Sequence, residues 1–344
     1  MKDLEQAEVL PHENKPARDW IQILANYRQP NLTRSIFEVF VTFAPFAGLW
    51  VLAWWTTTIS YWLTFGVCII AGGFLVRLFI IQHDCGHGSF FSKKSTNDWV
   101  GRVLGVFTLT PYDVWRRSHS MHHSSSGNLK KRGIGDITTL TVNEYNARST
   151  FGRLMYRVYR SPVILFLIGP IYVFGLENRL PVGYFKEGAK YWVSAMATNA
   201  GTLILSALLI YFMGFKAFAV VFCLTSFVAA ALGIWLFYVQ HQFEETYWDM
   251  PAEWDMHESA LYGSSHYVLP MPLRWITGNI GVHHVHHLYS RIPFYRLTEV
   301  IIDHPVLADT KRLTLWESFS CINLHLWDES KRRMVRFSEA RVMA

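Results

Sequence analysis

The chain has 344 residues, of which 51% are hydrophobic and 17% are charged, with a formal net charge of +6. Soluble domains carry about 25% charged residues, so this composition makes a membrane protein the first hypothesis. The four scattered cysteines form no CxxC pair and indicate neither a disulfide framework nor a thiolate metal site. The basic residues accompany apolar segments rather than a nucleic-acid-reading module, which argues against nucleic-acid binding.

The hydropathy pattern divides the chain into a polar arm over 1–34, a membrane domain over 35–330 and a basic tail over 331–344. The arm has no apolar core, so no cleavable signal peptide is predicted. Within the membrane domain we expect a hairpin over 35–82, a cytoplasmic segment over 83–190, a second hairpin over 191–241 and a C-terminal cytoplasmic segment over 242–330.

Three uncharged runs, 39–76, 191–215 and 217–243, predict the membrane spans. One helical crossing needs about 20 apolar residues, so the first run is long enough for two crossings, and its polar stretch 56–60 is the expected turn. The other two runs flank Lys216 and form a second hairpin. The predicted fold is therefore an all-α membrane protein with four transmembrane helices in two hairpins and a cytoplasmic helical cap.

A fifth uncharged stretch, 161–176, is short and interrupted by Pro162, Gly169 and Pro170. Its length and its helix-breaking residues favour a re-entrant or interfacial segment over a further crossing.

The lysine and arginine residues predict the orientation of the spans. Of the 32 such residues, only Lys216 falls in an outer turn, so both termini and the histidine clusters are expected to be cytoplasmic. The basic residues of the tail suit an anionic leaflet, with a solvated tail as the alternative: Lys331, Arg332, Arg333, Arg336 and Arg341.

Ten of the fifteen histidines lie in four clusters beside the apolar runs, and eight of these ten form one HxxxH and two HxxHH patterns. This spacing places imidazoles on one face of a helix, where they can converge on metal ions. His241, at the end of the last run, is a further candidate, although it can instead cap the helix. His284 is expected to point away from its neighbours. The candidate catalytic and metal-binding residues are His83, His87, His119, His122, His123, His241, His283, His286 and His287.

The number and type of these candidate ligands help to predict which metal ion binds. Imidazole suits zinc, copper, iron and nickel, whereas structural zinc sites close with four ligands that often include cysteine. An all-imidazole centre for two ions beside a membrane favours iron and oxygen chemistry, in contrast to glutamate-rich soluble di-iron bundles. Several polar residues are candidates for orienting the imidazoles by accepting their distal N–H: Asp84, Asp113, Asp136, Glu244, Glu245 and Asn279.

The motifs resemble those of the membrane fatty acid desaturase family. They are the HDCGH string ending at His87, the HSMHH box, the HQFEETYW segment and the GNIGVHHVHH string followed by Arg291-Ile-Pro. The resemblance covers about residues 40 to 300, and within the family the chain is most similar to bacterial acyl-lipid desaturases of the Δ12 type. It implies that all nine candidate histidines ligate two iron ions, with His241 matching the extra histidine after the last membrane helix. It also implies O2-dependent insertion of a cis double bond into a long, lipid-linked acyl chain, in a bacterial inner membrane.

The resemblance has one departure and one gap. Stearoyl-CoA desaturases carry an asparagine one helical turn before the extra histidine, whereas this chain has Phe237, leaving Gln240, Gln242 or nothing in that role. No HPGG cytochrome b5 signature is present, so a separate ferredoxin or cytochrome-like electron donor is expected. The basic loop over 130–132 either docks an acidic carrier or is simply solvated.

Two other functions compete with desaturation. Hydroxylases, acetylenases and carotenoid-modifying oxygenases share the histidine boxes and differ in product. A non-catalytic metal-binding or transport protein would instead carry ionisable residues inside its spans, and none occurs over 39–76.

Overall fold

The computed structural model describes residues 16–133 and 135–340, and this part of the chain is mainly α-helical. The helices are, in chain order, α1 Trp20–Leu24, α2 Leu32–Thr56, α3 Tyr61–His87, α4 Lys94–Phe107, α5 Tyr112–Ser125, α6 Val142–Asn146, α7 Thr150–Tyr159, α8 Gly169–Ile171, α9 Ala189–Met213, α10 Phe215–His241, α11 Met256–Tyr262, α12 Met271–Ile276, α13 His283–Leu288, α14 Leu297–Asp303, α15 Pro305–Asp309 and α16 Leu315–Ser318. The strands are β1 Leu140–Thr141, β2 His266–Val268, β3 Arg312–Thr314, β4 Leu326–Asp328 and β5 Arg333–Val335.

Four helices of the described chain are long and apolar enough to cross a membrane: α2, α3, α9 and α10. The turn after Thr56 joins α2 to α3, and Gly214, whose φ of 76° lies in the left-handed region, joins α9 to α10. These connections confirm the two predicted hairpins. Helix α3 packs along both α2 and α10, and 61% of its apolar window is buried against 17% to 22% for the other three, so α3 is the central helix of the bundle.

The fifth uncharged stretch is a bent element. Helix α7 and the helical residues 164–179, which include α8 between two π-helical turns, meet at 50°. Arg160 lies at the bend, fully buried, and donates to Gln242 Oε1 at 2.8 Å and to the Leu324 carbonyl at 3.0 Å. The bend is therefore tied to the end of α10. The geometry suits a broken span as well as a re-entrant segment, so the re-entrant assignment stays a prediction.

The part of the described chain outside the four spans, residues 16–31, 88–188 and 242–340, is called the cap. Besides its helices the cap contains two small sheets: β1 pairs in parallel with β4, β4 antiparallel with β5, and β2 in parallel with β3. These strands have two or three residues each, too few for the alternating pattern by which strands are recognised in a sequence. The predicted helical cap therefore gains a minor β component.

The described residues of the two polar ends pack against the rest of the chain, which the sequence-based division does not predict. Trp20 and Leu24 of the arm are buried. In the tail, β5 pairs with β4, and Arg332 makes two hydrogen bonds of 2.8 Å to Asp249. Residues 331–340 thus belong to the cap rather than to a separate basic tail, because carboxylates in the cap pair with their charges. Arg341 lies outside the described residues.

A buried ion pair joins the spans to the cap. Arg77 and Glu38, at the two ends of the first uncharged run, are both 1% exposed and lie 2.5 Å apart. The guanidinium also lies 4.0 Å from the Trp275 ring centroid in α12. Removing one partner of such a pair lowers the stability of the folded protein by about 3–5 kcal/mol. This contact therefore fixes the relative positions of α2, α3 and α12.

Candidate metal centre

Four helices bring the predicted histidines together. The HxxxH pair occupies the last turns of α3, and His241 is the last residue of α10. The HSMHH box lies on α5, and α13 begins at His283. The histidines of α3, α5 and α13 are three or four residues apart, so each helix presents one imidazole face to the same space.

The first group contains five imidazoles, and one ring nitrogen from each lies within 4.8 Å of the others: His83, His87, His119, His123 and His286. The His119 and His123 Nε2 atoms are 3.1 Å apart, and the His123 and His286 Nε2 atoms are 3.2 Å apart. Helices α3, α5 and α13 all contribute, so the group depends on tertiary packing rather than on one motif.

The second group brings His122, His241 and His287 within the same 4.8 Å. The His241 Nε2 atom lies 3.1 Å from that of His122 and 3.0 Å from that of His283. His283 therefore adjoins this group without belonging to its tightest set. The rings of His123 and His287 stack at 4.1 Å, so the two groups are neighbours and all nine candidate residues meet.

The donor atoms fit metal ions. Ligand nitrogens about 2.1 Å from one ion and at right angles lie about 3 Å apart, which matches the spacing of the facing Nε2 atoms. Within the described chain, His87 Nε2 and both ring nitrogens of His287 are buried without a hydrogen-bond partner. Buried polar atoms are normally paired, so bound metal would satisfy these nitrogens.

The imidazoles are held in the protonation state that metals need. Burial, followed by the proximity of other imidazoles, holds the pKa well below its usual range for six of them: His119, His122, His123, His283, His286 and His287. Neutral imidazole is the ligating form, so this environment favours metal over protons.

Two of the nine histidines have an oriented ring. Asp84 Oδ1 lies 3.2 Å from His83 Nδ1, while Asp84 Oδ2 accepts a hydrogen bond from the Phe294 amide at 2.6 Å. His241 Nδ1 lies 3.3 Å from the Gly263 carbonyl. Such contacts leave Nε2 facing the metal position.

The remaining polar candidates from the sequence bond elsewhere. Asp113 pairs with Arg102, Glu244 with Arg333, Glu245 with Lys311, Asp136 with the Ile137 amide and Asn279 with the Phe294 carbonyl. Likewise His284 turns away from both groups, its Nε2 lying 2.8 Å from the Leu307 carbonyl.

Two aromatic side chains at the centre were not predicted as part of it. The Trp115 indole stacks on His119 at 4.6 Å, and the Phe237 ring lies 5.1 Å from the rings of both His122 and His241. Each precedes a clustered histidine by four residues, a spacing that could have revealed both.

The side chains of Gln240 and Gln242 are engaged away from the centre. Gln240 Nε2 donates to the Ile280 carbonyl at 3.0 Å, and Gln242 Oε1 accepts from Arg160. Of the options left open by the sequence, the apolar Phe237 ring is the one beside the second group.

Four apolar helices, two of which end in histidines of two adjoining imidazole groups, define an integral membrane protein with a cap whose histidines are able to bind metal. The family model of the fatty acid desaturases matches residues 60–316 of this chain. The chain belongs to the fatty acid desaturase family, and it is accordingly an oxidoreductase. The family predicted from the histidine motifs is confirmed.

Three relatives show the kinds of desaturase to which this chain is similar in sequence. A fatty acid desaturase of Bacillus subtilis (strain 168) is 44% identical over 316 residues, covering 91% of this chain and 89% of the relative. The sn-1 acyl-lipid omega-3 desaturase (ferredoxin) of Synechocystis sp. is 29% identical over 338 residues, covering 91% and 87%. The sn-1 oleoyl-lipid 12-desaturase of the same organism is 27% identical over 265 residues, covering 73% and 69%. The expected similarity to bacterial acyl-lipid desaturases is thereby confirmed.

Proposed function

We propose that this enzyme introduces a cis double bond at a Δ12-like position of a long acyl chain linked to a membrane lipid. The reaction consumes O2 and takes electrons from a separate carrier. The observation that carries the proposal is the convergence of nine imidazoles beside the ends of apolar helices, since a hydrocarbon substrate is then delivered by the bilayer itself. The acyl-lipid relatives support a lipid-linked substrate.

The two imidazole groups would hold two iron ions. The first group supplies five ligands from α3, α5 and α13, and the second supplies His122, His241 and His287, with His283 adjoining. When bound there, iron supplies the O2-dependent oxidation that removes hydrogens from two adjacent, unactivated methylenes.

The protein's own residues set the geometry and the surroundings of the reaction. Asp84 and the Gly263 carbonyl fix the rings of His83 and His241. The Phe237 ring, which packs against His122 and His241, would exclude water from the second group and so limit side reactions of the oxidant. The position of the double bond would follow from how far the acyl tail extends past the histidines between the spans.

The proposed setting is the inner membrane of a bacterium, with both termini and the metal centre on the cytoplasmic side. The support is the distribution of lysine and arginine, since only Lys216 of the 32 such residues falls in an outer turn. This side also gives access to a soluble electron carrier, and one acyl-lipid relative carries ferredoxin in its name.

The test is expression in a bacterial host that lacks polyunsaturated lipids, followed by mass spectrometry of its fatty acids with double-bond localisation. We expect a new diene with its second double bond at the Δ12 position, absent from cells expressing His286→Ala at the same level. A hydroxylated acyl product would refute desaturation. A double bond elsewhere in the chain would refute the Δ12 position alone.

A further inference from the structure

An open pocket lies directly against the first imidazole group. Its volume is about 220 Å³, and its walls are Gly86, His87, Trp115, Arg116, His119 and the serines Ser120 and Ser290. His87 and His119 are partly exposed, whereas His122, His241 and His283 of the second group are buried. The pocket therefore gives the surroundings access to the metal centre at the end of α3.

Trp115 connects this pocket to the metal centre. Its indole lines the pocket and lies nearly parallel to His119, with the ring centroids 4.6 Å apart and the planes inclined by 17°. The glycine at position 86 permits this placement, because a Cβ there would lie 2.7 Å from the indole Cζ3. An aromatic ring in contact with a ligand shortens the distance that an electron must cross between the surface and the ion.

The rim of the pocket is cationic. Asp98 is shared by two cations, with Arg116 Nη1 at 2.8 Å and Lys94 Nζ at 2.5 Å. Arg291, which follows Ser290 of the pocket wall, is exposed. Of these cations Arg116 lines the pocket, while Lys94 is linked to it through Asp98 and Arg291 follows a lining residue in the sequence. Three cations and one carboxylate give this region a net positive charge, which favours encounter with an acidic protein surface.

The composition of the walls disfavours the acyl chain as the occupant. None of the seven residues that line the pocket is aliphatic, and its serines and arginine present polar groups. An alkyl chain gains free energy from apolar contact, which this wall offers mainly through the one indole of Trp115. The pocket therefore suits a protein partner at its mouth better than a substrate inside it.

We propose that this pocket is the docking point of the electron carrier, an acidic iron–sulfur protein, and that Trp115 conducts its electrons to the His119 side of the centre. The inference rests on the proposed function. In each turnover the carrier gives up two electrons, one at a time, and two protons come from water. The substrate loses two hydrogen atoms, which supply two further electrons and two further protons. The four electrons and four protons together convert O2 into two water molecules.

The basic loop over 130–132 is the competing docking surface, and two of its three cations, Lys130 and Lys131, are exposed. Arg132 of that loop forms an ion pair with Glu144 at 2.6 Å and donates to the Thr139 carbonyl. Its charge is thus largely neutralised. Lys131 is exposed in the same loop and provides a matched control for charge reversal.

The first experiment measures the binding of an acidic [2Fe–2S] ferredoxin to the full-length protein in nanodiscs, as a function of salt. We expect Arg291→Glu to weaken binding about tenfold at low salt and to flatten the salt dependence. Lys131→Glu, which changes the net charge equally, is expected to stay within about twofold of wild type. Equal affinities for wild type and Arg291→Glu, or equal losses in both variants, would overturn the docking site.

The second experiment follows the oxidation of pre-reduced ferredoxin by the iron-loaded enzyme in an anaerobic stopped-flow instrument. Trp115→Leu is expected to slow this transfer about tenfold at unchanged ferredoxin affinity, and Trp115→Phe to restore most of the rate. Wild-type transfer in the leucine variant at full iron content would overturn the role of Trp115. If the leucine variant loses iron, the test uses Trp115→Phe at full iron content instead. Transfer near the wild-type rate then supports an aromatic conduit, and loss of transfer contradicts it.

These results separate the inference from the proposed function. Ferredoxin binding needs no acyl product, so a wild-type enzyme that makes no diene but binds ferredoxin through Arg291 refutes the proposed reaction alone. A diene-forming enzyme whose ferredoxin binding ignores Arg291 refutes the docking site alone.

Discussion

The two imidazole groups are neighbours, but the first lies against an open pocket and the second is enclosed by protein. The first adjoins an open, cationic pocket in which His87 and His119 are partly exposed. The second is closed, with His122 at 1% and His241 at 3% exposure and the Phe237 ring against both. The difference agrees with the division of labour proposed above, in which one side of the centre receives electrons from a partner and the other is kept dry for chemistry on hydrocarbon.

The largest expected effect comes from removing one ligand of either group. His286→Ala in the first group and His122→Ala in the second should each abolish the diene while leaving the protein in the membrane, because each removes an imidazole from a shared set. Lipid analysis together with membrane immunoblots measures this. The control is His284→Asn, since His284 bonds to the Leu307 carbonyl instead. Full activity in either alanine variant would remove that residue from the ligands.

A smaller effect is expected from the carboxylate that orients His83. Asp84→Asn should weaken iron binding about 10- to 100-fold, because the distal nitrogen of His83 loses a charged acceptor. Iron retention against a graded chelator series measures the loss. Asp113→Asn is the matched control, as Asp113 pairs with Arg102 and Lys190. Equal iron retention in the two variants would contradict the assigned role of Asp84.

The closed side is tested through Phe237. Phe237→Ala should lower the product formed per O2 consumed by roughly severalfold, because water then reaches the second group. Iron content should be unchanged, since the side chain donates no ligand atom. An oxygen electrode combined with product analysis gives the ratio, and Leu232→Ala on the exposed face of α10 serves as the control. A wild-type ratio in Phe237→Ala would show that the ring does not exclude water.

The smallest effect is expected from mild acidification. In the folded protein, burial and neighbouring imidazoles lower the pKa of ligands such as His123 and His286 below the ordinary value of about 6.5. As the pH falls, the histidines of the unfolded chain therefore take up protons before those of the folded protein. The free energy of unfolding consequently decreases only below about pH 6.5. Iron content should stay constant from pH 8 to about pH 6.5 and decline below that. Iron release that begins near pH 7 would contradict these lowered pKa values.

The fold and the convergence of the histidines could largely be predicted from the sequence because both depend on strong local periodicity. Long uncharged runs define spans whatever their partners, and HxxHH patterns place imidazoles on one helical face. The small sheets and the packing of Arg332 against Asp249 were not accessible, because they depend on contacts between segments far apart in the chain. The distribution of the nine histidines between two groups was likewise invisible, as neighbours such as His122 and His123 contribute to different groups.

The central claim is that two iron ions occupy adjoining imidazole groups, and quantitative metal analysis with Mössbauer spectroscopy of freshly purified, ⁵⁷Fe-grown protein tests it most directly. We predict two irons per chain in a nitrogen-rich environment, with His122→Ala and His286→Ala each reducing that number. Zinc in place of iron, or an unchanged iron content and spectrum in both variants, would contradict the account.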